Sequence, residues 1–168
     1  SADHSVPLFF SGFGDGEHVL GISAESSVGG STVSTPLETI TVHGQSGNEL
    51  VGSDQGDWLF GSSGDDRLLG GHGNDILTGK GGHDSFIFSG DGGHDIITDF
   101  TTGLDTIVLD GLSTGSTPQW DAASGVLSFT TSVTPASGET PITYQNTVTI
   151  QNAAGLTLDD LLNGVPQV

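Results

Sequence analysis

Large apolar residues recur at fixed intervals through the middle of the chain, each with one neighbour on either side and a glycine-rich turn between them. The interval is nine residues, except for one slip of two residues near the end of the run. Successive side chains of a strand point to opposite faces, so a three-residue strand directs its central side chain inward and its neighbours outward. The pattern therefore predicts a series of very short strands joined by tight turns. The central apolar residues are Leu50, Leu59, Leu68, Leu77, Phe86 and Ile97.

A second column, mostly aspartate, stands two residues before each central apolar position. If two repeats make one coil, each member of this column lies beside the member eighteen residues along. Glycines two positions earlier let the backbone bend tightly and aim its carbonyl oxygens inward. These glycines are Gly64, Gly73, Gly82 and Gly93. The two predicted edges of stacked turns hold Asn48, Asp66 and Asp84 on one side and Asp57, Asp75 and Asp95 on the other.

The repeat predicts both an architecture and a ligand. Glycine, aspartate and a large apolar residue in constant phase over a short period are typical of a parallel β-helix or β-roll whose turns hold calcium. Stacked turns offer carboxylate and carbonyl oxygens, which Ca²⁺ accepts in tolerant geometry, whereas Mg²⁺ demands a tighter octahedron and retains its waters. Cysteine, a soft ligand for zinc or copper, does not occur in the chain. The alternative is that these aspartates only form turns, but stacking would then crowd carboxylates together without relief.

The segments on either side of the repeat are also predicted to be β structure. Before it, Val6–Phe10 and His18–Ile22 have the composition of short strands, and Thr39–Val42 leads into the first turn. The Ser-, Gly- and Thr-rich stretch Ala24–Pro36 is expected to be a loop or linker.

After the repeat, Asp105–Leu109 continues the apolar pattern, and Gly125–Thr131 and Ile142–Ile150 are predicted to form antiparallel strands because they are rich in Thr and Val. Thr157–Asp160 has the pattern of a capping box and predicts one turn of helix near the end.

The net charge of the chain limits the kinds of molecule that it can bind. The chain carries 21 acidic residues against two basic ones, a formal charge of −19. Nucleic acid is excluded as a partner because no basic patch could neutralise phosphates, and an anionic membrane surface is disfavoured for the same reason. No apolar run approaches the length of a membrane span. Mutual repulsion opposes compaction unless cations bind, so we expect disorder without calcium.

No catalytic constellation is visible in the sequence. Neither an HExxH motif, a Gly-x-Ser-x-Gly elbow nor a phosphate-binding Gly-x-x-x-x-Gly-Lys-Ser/Thr loop occurs. His72, His83 and His94 fall in variable turn positions and are expected to face solvent. The chain contains no methionine, so we interpret it as one module of a longer protein.

One outward face of the roll is unusually apolar. Its predicted members are Trp58, Phe60, Ile76 and Ile96. Contiguous apolar patches are normally covered or functional, and we expect the flanking strands to cover this one. A partner domain is the alternative.

The repeat resembles the RTX (repeats-in-toxin) family of calcium-dependent parallel β-rolls. The resemblance runs from Gly52 to Leu109 and includes Gly92-Gly-His-Asp95-Ile-Ile-Thr-Asp99-Phe100. It implies calcium held by the repeat aspartates, by Asp99 and by turn carbonyls. It also implies type I secretion, folding outside the cell and a C-terminal region that carries the export signal. The departures are Asn48 in place of aspartate, Ser46 and Gln55 in place of glycine, and the inserted pair Phe88-Ser89.

The sequence as a whole predicts an all-β module in which a short parallel β-roll is flanked by N- and C-terminal β segments. We expect an N-terminal β segment and linker over residues 1–42, the roll over 43–100, and a C-terminal cap with a secretion signal over 101–168. The predicted function is a non-catalytic, secreted calcium-binding module that folds on Ca²⁺ binding outside the cell. Its expected partners are calcium, the type I secretion machinery and an upstream domain. The alternative is a surface- or polysaccharide-binding module of an enzyme or adhesin.

Overall fold

The computed structural model describes residues 18–28, 31–42, 47–90, 93–136 and 138–162, the first two ranges as backbone. Twelve strands and one short helix account for the regular structure of these residues. In chain order they are β1 (His18–Val28), β2 (Ser31–Val42), β3 (Glu49–Val51), β4 (Trp58–Phe60), β5 (Arg67–Leu69), β6 (Ile76–Thr78), β7 (Ser85–Ser89), β8 (His94–Ile97), β9 (Thr106–Asp110), β10 (Gln119–Asp121), β11 (Val126–Val133), β12 (Ile142–Ile150) and α1 (Leu158–Leu162).

The repeat winds into a parallel β-roll, as predicted. Strands β3, β5, β7 and β9 form one parallel sheet, while β4, β6 and β8 lie side by side in the other. Leu50 pairs with Leu68, and Leu59 with Leu77, so one coil is eighteen residues long. The predicted all-β fold and the two-repeat coil are therefore confirmed.

The two-residue insertion is absorbed without breaking this register. It lengthens β7, whose last residues Phe88 and Ser89 pair with Leu109 and Asp110 of β9. Phe88 is buried, and the following strand β8 still pairs with β6, with Leu77 opposite Ile97. The coil pattern thus extends through β9, beyond residue 100. The division of the chain into three domains stays a prediction.

The core of the roll is the predicted apolar column. Each central side chain is fully buried while its strand neighbours are less so, which is the alternation expected when only one face of a short strand is covered. The buried members are Leu50, Leu59, Leu68, Leu77, Phe86 and Ile97, continued by Ile107.

The N-terminal strands form a hairpin that extends the roll. β1 pairs with β2 in antiparallel fashion, and β2 lies parallel to β4. The expectation of a loop or linker over Ala24–Pro36 is wrong, because most of this stretch lies within β1 and β2. Its Ser, Thr and Val residues are compatible with a strand once a partner strand supplies the backbone hydrogen bonds. The predicted strand Val6–Phe10 lies outside the described residues.

The C-terminal strands complete the larger sheet. β11 and β12 are antiparallel, as predicted, and β12 adds to β8 in parallel. The predicted capping box is also present, since Thr157 and Asp160 exchange hydrogen bonds at the start of α1. That helix buries Leu161 and Leu162 against the core.

The apolar outward face is not covered by the strands that the structure describes. β2 and β12 lie edge to edge with the roll instead of over its face, and Trp58 is 39% exposed. β2 and β12 therefore extend the sheet and do not cover this face, on which Phe60, Ile76 and Ile96 are half-buried. The predicted strand Val6–Phe10, which could also cover it, lies outside the described residues. In the described part of the chain, no helix is long and apolar enough to cross a membrane.

Candidate metal site

The turns of the roll stack along two edges. Turns 52–57 and 70–75, with Gly90 and residues 93–95, follow strands of the smaller sheet and lie along one edge. Turns 61–66, 79–84 and 98–105 follow strands of the larger sheet and lie along the other, together with Asn48. Each turn therefore has a neighbour about one coil away in sequence, as the repeat predicts.

The acidic column forms a ladder of side chain to backbone hydrogen bonds along each edge. On the first edge, the amide of Asp57 donates to Oδ1 of Asp75 at 2.8 Å, and the amide of Asp75 donates to Oδ1 of Asp95 at 2.9 Å. The structure thus brings together the residues that the sequence places on this edge, and the inserted pair does not displace Asp95.

The second edge repeats this arrangement. The amides of Asn48 and Asp66 donate to Oδ1 of Asp66 and Asp84 at 2.7 and 2.9 Å. The amide of Asp84 then donates to Oδ1 of Asp105 at 3.1 Å. Asp105 is a member of the ladder that the sequence reasoning did not include among the site residues. The signal was its place two residues before the apolar Ile107, obscured by a spacing of 21 residues from Asp84.

Burial makes these carboxylates expensive to keep charged. All six aspartates of the two ladders are at most 3% exposed. Burial raises the pKa of Asp75 and of Asp84 to about 6, and that of Asp95 to about 7; hydrogen bonds from backbone amides oppose the shift, and neighbouring ladder carboxylates add to it. Burial likewise raises the pKa of Asp105. Burial and neighbouring like charge both penalise the ionised form of these carboxyls, a penalty that a bound cation would offset.

The fourth-position glycines bring the stacked backbones into contact. Gly73 and Gly82 both have a φ of 114°, which side chains other than glycine rarely adopt. A Cβ at Gly82 would lie 2.6 Å from the carbonyl oxygen of Gly64, and one at Gly93 would collide with the carbonyl oxygen of Gly73. The carbonyl oxygens of Gly64 and Gly73 therefore lie between successive turns. The carbonyl oxygen of Gly93 instead accepts a hydrogen bond from the amide of Thr147 at 3.0 Å.

Asp99 closes one of these turns from the next coil. It accepts hydrogen bonds from the amides of Gly79 and Lys80 at 2.9 and 2.7 Å. Its position on the same edge as turn 79–84 agrees with the phase of the repeat.

Asn146 is a residue of the site that no sequence signal indicated. Its Oδ1 accepts a hydrogen bond from the amide of Gly93 at 3.3 Å, across 53 residues of sequence.

The residues present fit a hard cation. Oδ2 of Asp75 is buried and has no hydrogen-bond donor among the described residues, an arrangement that is costly without a counter-charge. No group of three His, Cys, Asp or Glu side chains converges in the part of the chain that the structure describes. A metal here would therefore draw on turn carbonyls as well as carboxylates, which are ligands of calcium.

The histidines of the turns lie outside the ladders. His72, His83 and His94 are exposed, as expected. The amides of His83 and His94 donate to Asp65 and Asn74 of the preceding coil.

The fold and the site together define a class of structure: a parallel β-roll that has glycine-rich turns and an acidic ladder along each edge. The family described as RTX calcium-binding nonapeptide repeats matches residues 51–86, in four copies. This segment of the chain consists of RTX repeats.

Two solved structures are similar to the chain. One is a subunit of the Azotobacter vinelandii mannuronan C5-epimerase, with 21% identity and a TM-score of 0.34, covering 73% of this chain and 81% of that one. The other is the extracellular lipase LipA of Serratia marcescens, with 21% identity and a TM-score of 0.33, covering 84% of this chain and 25% of that one. No curated protein sequence matches the chain significantly.

Proposed function

We propose that this chain is a non-catalytic calcium-binding module of a larger secreted protein, which folds when Ca²⁺ binds outside the cell and so supports type I secretion and stability. The single observation that carries the proposal is the pair of buried carboxylate ladders, with Oδ2 of Asp75 left without a donor.

The ligands are residues of the stacked turns. We assign carboxylate or amide side-chain oxygens on both edges, together with the carbonyl oxygens of the fourth-position glycines. Bound Ca²⁺ would supply the positive charge that these oxygens lack. The proposed ligand residues are Asn48, Asp57, Asp66, Asp75, Asp84, Asp95 and Asp99, with Gly64, Gly73, Gly82 and Gly93.

Folding is coupled to binding because the ligands come from separate coils. Neighbouring aspartates along an edge are eighteen to 21 positions apart, so the site does not exist in the unfolded chain. The formal charge of −19 opposes compaction, and the ladder aspartates lose their hydration on burial. Binding free energy therefore contributes directly to folding free energy.

Secretion fits this coupling. Extracellular calcium modules work at roughly 0.1–1 mM Ca²⁺, far above cytosolic levels, so the chain would stay unfolded until it has left the cell. The expected partners are the type I secretion machinery and an upstream domain, and the chain has too few basic residues to bind nucleic acid.

A calcium titration followed by far-UV circular dichroism tests the proposal. We expect a weak β signal in excess chelator and a large gain of β signal as calcium is added, with magnesium at the same concentration much less effective. A β signal that is the same in chelator and in calcium would disprove calcium-coupled folding.

A second candidate function is binding to a surface or polysaccharide. The favouring observation is the partly exposed Trp58, which packs edge to face with Phe60 at 6.4 Å between ring centroids on the outward face of the roll. Because the chain has only two basic residues, neutral glycans are expected over acidic ones. Glycan-array binding in calcium, lost in Trp58→Ala, would support this candidate; no binding to any glycan would reject it.

A further inference from the structure

In the first two fully described turns of the roll, the aspartate accepts hydrogen bonds from a serine of the same turn. In turn 52–57 the amide and hydroxyl of Ser53 both donate to Oδ2 of Asp57, at 2.5 and 2.9 Å. In turn 61–66 the amide and hydroxyl of Ser62 donate to Oδ2 of Asp66, at 2.6 and 3.1 Å. We call these two the serine turns.

The next two turns have a different backbone. Their second residues, Gly71 and Lys80, have φ values of 94° and 74°, whereas neither serine has a positive φ. The amide of Lys80 donates to Asp99 of the following coil instead of to its own turn's aspartate. We call turns 70–75 and 79–84 the left-handed turns.

This difference in hydrogen bonding changes how strongly a bound cation would stabilise each carboxylate. Two donors already compensate Oδ2 of Asp57 and of Asp66, and a hydrogen bond to a charged group is worth more than one between neutral groups. Oδ2 of Asp75 is equally buried but has no donor, so a cation is the only counter-charge it can gain. An ion at a serine turn must share or displace the serine's donors.

We propose that Ser53 and Ser62 grade calcium affinity along the roll, so that Asp75 holds calcium most tightly and Asp57 and Asp66 hold it least tightly. The proposal rests on the proposed function, because it concerns the relative strength of the same ladder sites. Ser53 and Ser62 thus set calcium affinity through the aspartate four residues later.

Calcium removal from the loaded chain tests the order of the sites. Bound calcium is counted by equilibrium dialysis at buffered free calcium, while backbone amide resonances are followed by NMR. As free calcium falls, the amides of Ser53 and Ser62 should shift first. The amide of Asp57, which bonds the Asp75 carboxylate, should shift last. Simultaneous or reversed shifts would overturn the grading.

Two pairs of variants separate the serine effect from a general loss of structure. Ser53→Gly combined with Ser62→Gly should tighten the weak class of ions about tenfold, since each aspartate loses a donor that competes with the ion. The matched control is Ser63→Gly, at an exposed position of the same turn, which should leave both classes unchanged. An unchanged weak class in the double variant would contradict the proposal.

Asp75→Asn and Asp66→Asn form the second pair. Asparagine keeps an oxygen for the ladder amide but removes the charge. Asp75→Asn should weaken the tightest class at least tenfold, and Asp66→Asn should leave that class within about threefold of wild type. Equal effects would reject the grading while leaving calcium binding intact, whereas absence of any retained calcium in the wild type would reject the proposed function itself.

Discussion

The roll and the C-terminal hairpin share one sheet but are stabilised in different ways. In the roll, each coil buries apolar residues inside and aspartates at its edges. In β11 and β12, the buried polar side chains Thr131 and Asn146 are neutral and bond each other at 2.8 Å. β12 pairs with β8 in parallel although β12 itself contributes no carboxylate to the ladder. Strand pairing therefore does not require the ladder, whose aspartates are better explained by an ion.

The junction between the two regions shows where the ladder ends. Val148 of β12 pairs with Asp95 of β8, so the place of the next aspartate is taken by a buried apolar side chain. Asn146 and Thr131 instead bond the carbonyl oxygen of Gly90 at the last turn. Neutral hydrogen bonds thus hold Gly90 and Gly93, and we expect the stability of these two residues to depend less on calcium than that of the earlier turns.

Chelation should produce the largest difference between the two regions. In excess chelator, hydrogen exchange should become fast at the ladder amides of Asp57, Asp66 and Asp75. The amides shared by β11 and β12 should retain more protection, because neutral packing and backbone pairing persist there. Hydrogen exchange read by NMR measures both sets in one sample. Equal loss of protection in both regions would show that they unfold as one unit.

Lowering the pH should have the next largest effect, with opposite signs in the presence and absence of calcium. The pKa values of Asp75 and Asp95 are raised from the ordinary 3.8 to about 6 and about 7. The folded form therefore binds protons more tightly than the unfolded chain. This stabilisation is fully present below about pH 4 and is lost as the pH rises through 6 to 7.

The measurement is circular dichroism as a function of pH. Calcium-free protein should gain β signal between pH 8 and pH 5, whereas calcium affinity should fall over the same range because protons compete for the carboxylates. A calcium-free β signal that declines on acidification over this range would contradict the predicted sign.

Removing the neutral network should have a moderate effect. Asn146→Ala deletes the acceptor of the Gly93 amide and the donor to Thr131, at a cost of about 1–3 kcal/mol in the free energy of unfolding. Urea unfolding in saturating calcium measures this change. Gln145→Ala, at the exposed neighbouring position, is the control and should change stability by less than about 0.5 kcal/mol. Equal losses in the two variants would mean that the network contributes nothing specific.

The smallest predicted effect concerns the base of the hairpin. Nε1 of Trp120 donates to the carbonyl oxygen of Leu156 at 2.8 Å. Trp120→Phe should lower the free energy of unfolding by about 0.5–1.5 kcal/mol, because it keeps an aromatic ring but removes the donor. Trp58→Phe, on the exposed face of the roll, provides the comparison and should have the smaller effect. A larger loss for Trp58→Phe would indicate that its face is covered in solution.

Much of the site could be predicted because its chemistry is repeated locally. Asp57 and Asp75 stand in the same place relative to Leu59 and Leu77, so their stacking follows from the period alone. Asp105 was not predicted as a site residue because the longer turn before it changes its spacing from Asp84. Asn146 could not be found, since its contact with Gly93 spans 53 residues and depends on which strand β12 joins.

The sequence by itself determined the coil, the buried apolar column and the two acidic edges. Each of these follows from a short-range periodicity that is present in every repeat. Only the tertiary structure decided how the flanking strands join the roll, because edge-to-edge addition and covering of a face use the same Thr- and Val-rich strands. It also decided which aspartates find donors within their own turn. That distinction depends on the sign of φ at Ser53, Ser62, Gly71 and Lys80, and hence on three-dimensional hydrogen bonding that residue spacing does not encode.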